Sequence, residues 1–174
     1  MPPSASEAAR HIRLLLLDVD GVLSDGRIYY SAGGDELKAF HIHDGLGIKL
    51  LQRQGIEVGI ITGRTSPLLE RRARELGIDR LIQGREDKLR ALEELRAGHP
   101  VPMEQIAYMG DDLPDLAVIR RVGLGMTVAD CNPEVARHAR WQATRKGGEG
   151  AVREAAEFIL DAQGKLAPVL ESYR

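Results

Sequence analysis

Leu14-Leu15-Leu16-Leu17-Asp18-Val19-Asp20-Gly21-Val22-Leu23-Ser24-Asp25-Gly26 is the stretch on which the reading of this chain turns. Four consecutive leucines are too few to cross a bilayer and suit a strand buried on both faces, as strands of a parallel sheet are. The run stops at Asp18, so a carboxylate stands where the strand ends. Asp20 comes two residues later, and in extended backbone side chains two apart share a face. Gly21 lets the chain turn sharply. In an open α/β sheet, ligands bind in the crevice beyond the carboxyl ends of the strands. Two acids held there repel each other unless a cation or a shared proton intervenes. The plain alternative is that Asp18 and Asp20 are turn and cap residues. Residues farther along the chain weigh against it.

Working outward, Arg27-Ile28-Tyr29-Tyr30 and Leu37-Lys38-Ala39-Phe40 read as two short strands joined by the turn residues Ser31-Ala32-Gly33-Gly34-Asp35. This hairpin, residues 27–40, is placed to form a flap over the acidic loop. A helix is expected over 45–54, ended by Gly55, and a second buried strand over 57–62. Ser66 and Pro67 open a helix that Gly77 closes. Strands are expected at 80–83, 105–109 and 122–126, and helices at 86–97, 133–139 and 150–162. Residues 1–11 read as frayed and the tail from Gly164 as irregular. Strands alternating with helices imply an α/β fold, a Rossmann-like three-layer sandwich around a mostly parallel sheet. At 174 residues the chain fits one domain, 1–174.

Composition excludes several function classes. A net charge of −2 gives no broad surface for nucleic acid. No stretch approaches the ~18 apolar residues of a membrane span, and residues 1–13 lack the apolar run of a signal peptide. Cys131 is alone and cannot form an internal disulfide. A cytoplasmic enzyme or binding domain is the expectation.

The candidate polar groups fall at strand ends. Asp18 and Asp20 come after the first strand, Thr62-Gly63-Arg64 after the second, and Asp111, Asp112 and Asp115 after the strand ending at Met109; Lys88 opens a helix. Parallel strands bring their carboxyl ends to one edge, so these residues converge. The chemistry that they assemble is phosphoryl transfer. A carboxylate attacks phosphorus and forms an aspartyl phosphate. A hard divalent cation, Mg2+, takes carboxylate and phosphate oxygens. A threonine and a lysine neutralise the remaining phosphoryl oxygens, and a second acid protonates the leaving alkoxide and then activates water.

Asp18-Val19-Asp20-Gly21-Val22, Thr62-Gly63-Arg64, Lys88 and Gly110-Asp111-Asp112-Leu113-Pro114-Asp115 resemble, in order, the four motifs of the haloacid dehalogenase superfamily. Leu23-Ser24-Asp25-Gly26, Phe40-His41-Ile42-His43-Asp44-Gly45-Leu46-Gly47-Ile48 and Gly147-Gly148-Glu149-Gly150-Ala151-Val152-Arg153-Glu154 narrow the likeness to its capless sugar-acid phosphatases. The resemblance implies Asp18 as nucleophile and metal ligand. It implies Asp20 as general acid/base with its backbone carbonyl on the metal, Thr62 and Lys88 on the phosphoryl group, and Asp111 as a metal ligand. Asp112 and Asp115 would support the metal or orient Lys88. Gly21, Gly45, Gly63, Arg64 and Arg85 are the candidate substrate contacts, with Arg64 suited to gripping a substrate carboxylate. The implied reaction is hydrolysis of a sugar-acid phosphate: 3-deoxy-D-manno-octulosonate 8-phosphate, for lipopolysaccharide precursor synthesis, or alternatively a nonulosonate 9-phosphate. The implied assembly is a homotetramer in which the hairpin and the tail from Leu166 to Arg174 meet a neighbour.

Two other classes remain open at this level, a phospho-acceptor signalling domain and a non-catalytic binding module. Asp20, placed for acid/base work, argues for turnover. His41 and His43 are read as strand residues that flank the site, since no Cys or Glu partner is near. Gly147 to Gly150, ahead of a helix, could bind an anion through backbone N–H groups.

Overall fold

A computed structural model describes residues 3–174. In chain order its elements are α1 (Ala5–Ala9), β1 (Leu14–Leu17), β2 (Tyr29–Tyr30), β3 (Glu36–Leu37), α2 (Ile42–Arg53), β4 (Glu57–Ile61), α3 (Pro67–Leu76), β5 (Arg80–Ile82), α4 (Lys88–Gly98), β6 (Ile106–Met109), α5 (Leu116–Ile119), β7 (Leu124–Thr127), α6 (Pro133–His138), β8 (Trp141–Gln142), α7 (Ala151–Ala162) and α8 (Leu166–Glu171). Six strands form one sheet in the order β5-β4-β1-β6-β7-β8. Every neighbouring pair in it is parallel. Helices cover both faces, the α/β sandwich expected.

The leucine run explains why β1 lies inside the sheet. All four leucines are completely buried. Leu15 and Leu17 face one core cluster, with Ile48, Leu51 and Ile159, whereas Leu14 and Leu16 face the other, with Ile61, Leu92 and Tyr108. This is the period-2 alternation of a strand with apolar layers on either side. Each leucine contributes roughly 1.5–3 kcal/mol by leaving water. β1 runs beside Glu57–Ile60 on one flank and Ile106–Met109 on the other, in register. The parallel arrangement then delivers Asp18, Thr62 and Gly110-Asp111 to one edge of the sheet.

Behind that edge, two distant segments become one unit. Asp44, in the first turn of α2, accepts a hydrogen bond from Arg153 N in the first turn of α7 at 2.9 Å. At Gly47 a Cβ would lie 3.0 Å from Arg153 Cα, so α2 and α7 pack almost backbone to backbone.

Several expectations are corrected. The N-terminal segment is not frayed from residue 4 onward: Ser4 and Glu7 form a capping box, and Ala8 and Ala9 are buried. Met1 and Pro2 lie outside the described residues. The tail is not irregular either. Residues Leu166–Glu171 are helical, Val169 is buried, and Tyr173 OH accepts from Arg53 Nη1 at 3.0 Å. Arg53 ends α2 just before the start of β4, so α8 docks on its own chain at the edge of the sheet opposite Asp18. The hairpin is shorter than expected, and His41 and His43 are not on a strand. His41 caps α2, its Nδ1 accepting from His43 N at 3.1 Å. Ser66 precedes α3 as expected, but its hydroxyl makes no capping bond; Gly77 closes the helix with φ 67°. No helix among the described residues is long and apolar enough to cross a membrane.

Candidate active site

A cleft of about 470 Å³ opens at the carboxyl edge of the sheet, lined by Asp18, Asp20, Thr62, Gly63, Arg64, Glu86, Lys88, Asp111, Asp112 and Asp115. Asp18 is fixed from behind by its N–H, which donates to Met109 O at 3.0 Å. In front, Lys88 Nζ reaches Asp18 Oδ1 at 2.8 Å and Asp115 Oδ1 at 2.7 Å. Burial alone would drive the Lys88 ammonium down. Asp18 and Asp115 outweigh it, so Lys88 titrates above the usual lysine range and stays charged.

Asp115 is held on every side. Its Oδ1 also accepts from Tyr108 OH at 2.5 Å, and its Oδ2 accepts from Asp111 N at 3.0 Å and Asp112 N at 3.2 Å. A carboxylate with four donors has little left for a metal, so Asp115 orients Lys88 and the 111–112 backbone. Tyr108 is completely buried, and burial first, then Asp115, pushes its phenol far above the ordinary range. It is a permanent donor. Tyr108 is illegible as a site residue in the sequence because it reads as one more apolar position in β6. Asn132 escapes the sequence reading as well: its N donates to Asp111 O at 2.8 Å and its Nδ2 to Asp112 Oδ1 at 3.1 Å.

Asp18, Asp111 and Asp115 each offer an oxygen within 4.8 Å of the others. Gly21, at φ 92°, lies so close that a Cβ there would overlap the Asp111 carboxylate. Glycine is required on both counts. The Asp20 side chain takes another direction. Its Oδ1 meets Lys38 Nζ at 2.7 Å and its Oδ2 stands 4.0 Å from Arg64 Nε.

The oxygens left to Asp18 and Asp111 form a hard, anionic donor set suited to a divalent cation such as Mg2+. Their proton affinities report the same crowding. Burial first, then the Asp115 charge, raises Asp18 to about 6 against the pull of Lys88. Burial first, then Asp18 and Asp115, raises Asp111 to about 8. Unfolded carboxyls titrate near ~4, so without metal the native state holds the extra protons. Stability from these groups is therefore present at low pH and lost as pH rises through about 6 and about 8. The metal-free protein should melt at a lower temperature at about pH 8 than at about pH 5. Magnesium or Asp111→Asn should flatten that slope. Melting curves in chelator across this range check it, and a slope unaffected by Asp111→Asn would refute the assignment.

Three expected contacts lie elsewhere. Gly45 is inside α2, where a Cβ would meet the Arg72 guanidinium; it does not line the cleft. Arg85 is turned outward, its Nη2 2.6 Å from Glu94 Oε1. The 147–150 turn offers no anion site. Gly147 N donates to Asp130 Oδ1 at 3.1 Å, Gly148 N to Val22 O at 2.9 Å and Glu149 N to Lys146 O at 3.1 Å. The turn braces the acidic loop instead: a Cβ at Gly147 would overlap Gly21 O.

Comparison with known proteins accounts for this constellation. A haloacid dehalogenase-like hydrolase model matches residues 44–123. The 3-deoxy-D-manno-octulosonate 8-phosphate phosphatase KdsC of Yersinia pestis is 52% identical over 160 residues, 92% of this chain and 86% of that protein. The chain belongs to the haloacid dehalogenase-like hydrolases. Among solved structures, this hydrolase superposes on a probable YrbI family phosphatase from Pseudomonas syringae with a TM-score of 0.95 and 50% identity, over 97% of this chain and 96% of the other. It superposes equally well, TM-score 0.95 at 44% identity and 98% coverage of both chains, on the Moraxella catarrhalis 3-deoxy-D-manno-octulosonate 8-phosphate phosphatase in complex with magnesium ion, phosphate ion and KDO.

Proposed function

We propose that this hydrolase converts 3-deoxy-D-manno-octulosonate 8-phosphate to 3-deoxy-D-manno-octulosonate and phosphate through an aspartyl phosphate on Asp18. The observation that carries the reading is the buried Asp18 carboxylate, fixed by Lys88 and set beside Asp111 in the cleft. An Asp18 oxygen attacks phosphorus, and the bond from phosphorus to the sugar oxygen breaks. Asp20 gives its proton to the departing alkoxide. Asp20 then takes a proton from the water that attacks the aspartyl phosphate, freeing phosphate and regenerating the Asp18 carboxylate. Lys88, Thr62 and the Gly63 backbone hold the phosphoryl oxygens. Asp18, Asp111 and the Asp20 backbone carbonyl would hold magnesium, which neutralises the charge of the phosphate dianion when bound. Asp112 and Asp115 support this set. Arg64 is engaged by Glu36 Oε1 at 3.4 Å, so gripping the sugar carboxylate means exchanging one carboxylate for another.

The test is phosphate release with magnesium from a panel of sugar phosphates. The highest kcat/KM is expected for the eight-carbon acid, and preference for a nonulosonate 9-phosphate would overturn the substrate. Asp20→Asn should slow turnover by ~10²–10⁴-fold; wild-type turnover in that variant would remove Asp20 from proton transfer.

The same reading makes residues 1–174 one phosphatase domain, a cytoplasmic enzyme of lipopolysaccharide precursor synthesis, and a homotetramer. Exposed Ile28, Tyr29, Tyr30, Leu37 and Ile42, with Ile42 76% exposed, support assembly through the hairpin. Light scattering at micromolar concentration should report four chains, and Tyr30→Glu with Leu37→Glu should yield smaller species. A monomer would refute it.

A further inference from the structure

Lys38 comes directly after β3, and only 4% of its side chain is exposed. An ammonium withdrawn from water needs a carboxylate or several acceptors close by. Lys38 Nζ lies 2.7 Å from Asp20 Oδ1, and among the described residues this is its polar side-chain contact. The other oxygen of Asp20 faces Arg64 Nε at 4.0 Å, and Arg64 Nη2 reaches back to Glu36 Oε1 at 3.4 Å. Both oxygens of Asp20 therefore face cations from outside its own loop, one carried by the hairpin and one by the segment after β4. The hairpin is tied directly to the acidic loop a second time by Tyr29 OH, which donates to Asp25 Oδ2 at 2.5 Å. These links run between the flap and the loop that bears Asp20, and they do not involve Asp18, Lys88 or Asp111.

We infer that Lys38 is a positioning residue for Asp20. Resting on the phosphatase reading, Lys38 sets the direction of the Asp20 carboxyl group, which when protonated passes its proton to the leaving alkoxide and as the carboxylate later takes one from water. Because the hairpin carries Lys38, the geometry of Asp20 depends on the seating of the flap. A purely structural ion pair would pin the hairpin down and have no bearing on proton transfer.

The two cases separate in kinetics. Phosphate release is measured for wild type, Lys38→Met, Lys38→Arg, Asp20→Asn and the Lys38→Met/Asp20→Asn double variant. The substrates are 3-deoxy-D-manno-octulosonate 8-phosphate and p-nitrophenyl phosphate, whose leaving group departs without a proton. Lys38→Met should lower kcat on the sugar phosphate by about tenfold to a hundredfold, the scale of a misplaced catalytic group, with KM little changed. The loss should be smaller on the aryl phosphate and absent in the Asp20→Asn background, and Lys38→Arg should recover part of it. The same factor lost in both backgrounds, or a rise in KM with kcat unchanged, would each overturn the role, whereas equal losses on both substrates would place it at the water-activating step that both share. Wild-type kcat in Lys38→Met would overturn it while leaving the phosphatase reading intact. A wild-type protein inert on both substrates would remove that reading and this inference together.

Discussion

Asp18→Asn is expected to remove turnover, by more than ~10⁴-fold, while the protein folds and melts close to wild type. Asparagine keeps the shape of aspartate, and its amide has no lone pair competent to attack phosphorus. The Lys88 contact at 2.8 Å from Asp18 Oδ1 can pass to the amide oxygen, and the contact to Asp115 at 2.7 Å remains, so the ammonium is not stranded. Loss of one buried negative charge beside Asp111 and Asp115 offsets the weaker bond to Lys88. The measurements are phosphate release, intact-protein mass for a trapped phosphoenzyme, and a melting curve. Turnover near wild type, or a phosphorylated species in the variant, would move the nucleophile elsewhere.

Chelation is expected to have an effect of similar size. Asp18, Asp20, Glu86, Asp111, Asp112 and Asp115 line the cleft against Lys88 and Arg64. Arg64 is already shared between Glu36 and Asp20. A phosphate dianion entering such a cleft is repelled unless a further cation is present. Exhaustive chelation should abolish turnover on every phosphate ester, activated aryl esters included, and added magnesium should restore it. Full activity after chelation would exclude the metal site. Retained activity on the aryl ester alone would assign the metal to the leaving group rather than to the nucleophile.

The parts of this arrangement legible in the sequence are those with strong local signals. Leu14 to Leu17 suit a doubly covered strand, and the acids, Thr62 and Asp111 that come after strands must share an edge once the strands are parallel. The α1 capping box, Ser4 with Glu7, is a legible signal too, hidden among small polar residues that resemble a frayed end. Pro168 argues against a helix in the tail, yet it lies in the first turn of α8, where a missing N–H costs little. β8 has two residues, too few for a periodic signal. His41 and His43 alternate like strand residues because the capping position of α2 is itself extended, with φ −87° and ψ 130°. Lys38, Tyr108 and Asn132 could not be found by pattern. A lysine on a hairpin normally faces water, a tyrosine in an apolar strand normally fills space, and an asparagine before a proline normally caps a helix. Lys38 and Asn132 acquire their partners across 18 and 20 residues, and Tyr108 meets Asp115 only because the chain turns back on itself after β6.

The place of β1 inside the sheet bears on how the chain is made. β1, which leads into Asp18, is synthesised before the other strands of its sheet, and both of its neighbours, β4 and β6, come later. Until Met109 has emerged, four leucines have an open flank, a template for mispairing that chaperones would have to cover. Even then the acidic loop lacks its brace, because Gly148 must still bond to Val22 and Gly147 must still settle against Gly21. Metal affinity should thus appear late in biosynthesis, after the sheet has formed. Nascent chains arrested before residue 147 should contain much of the sheet and bind magnesium poorly.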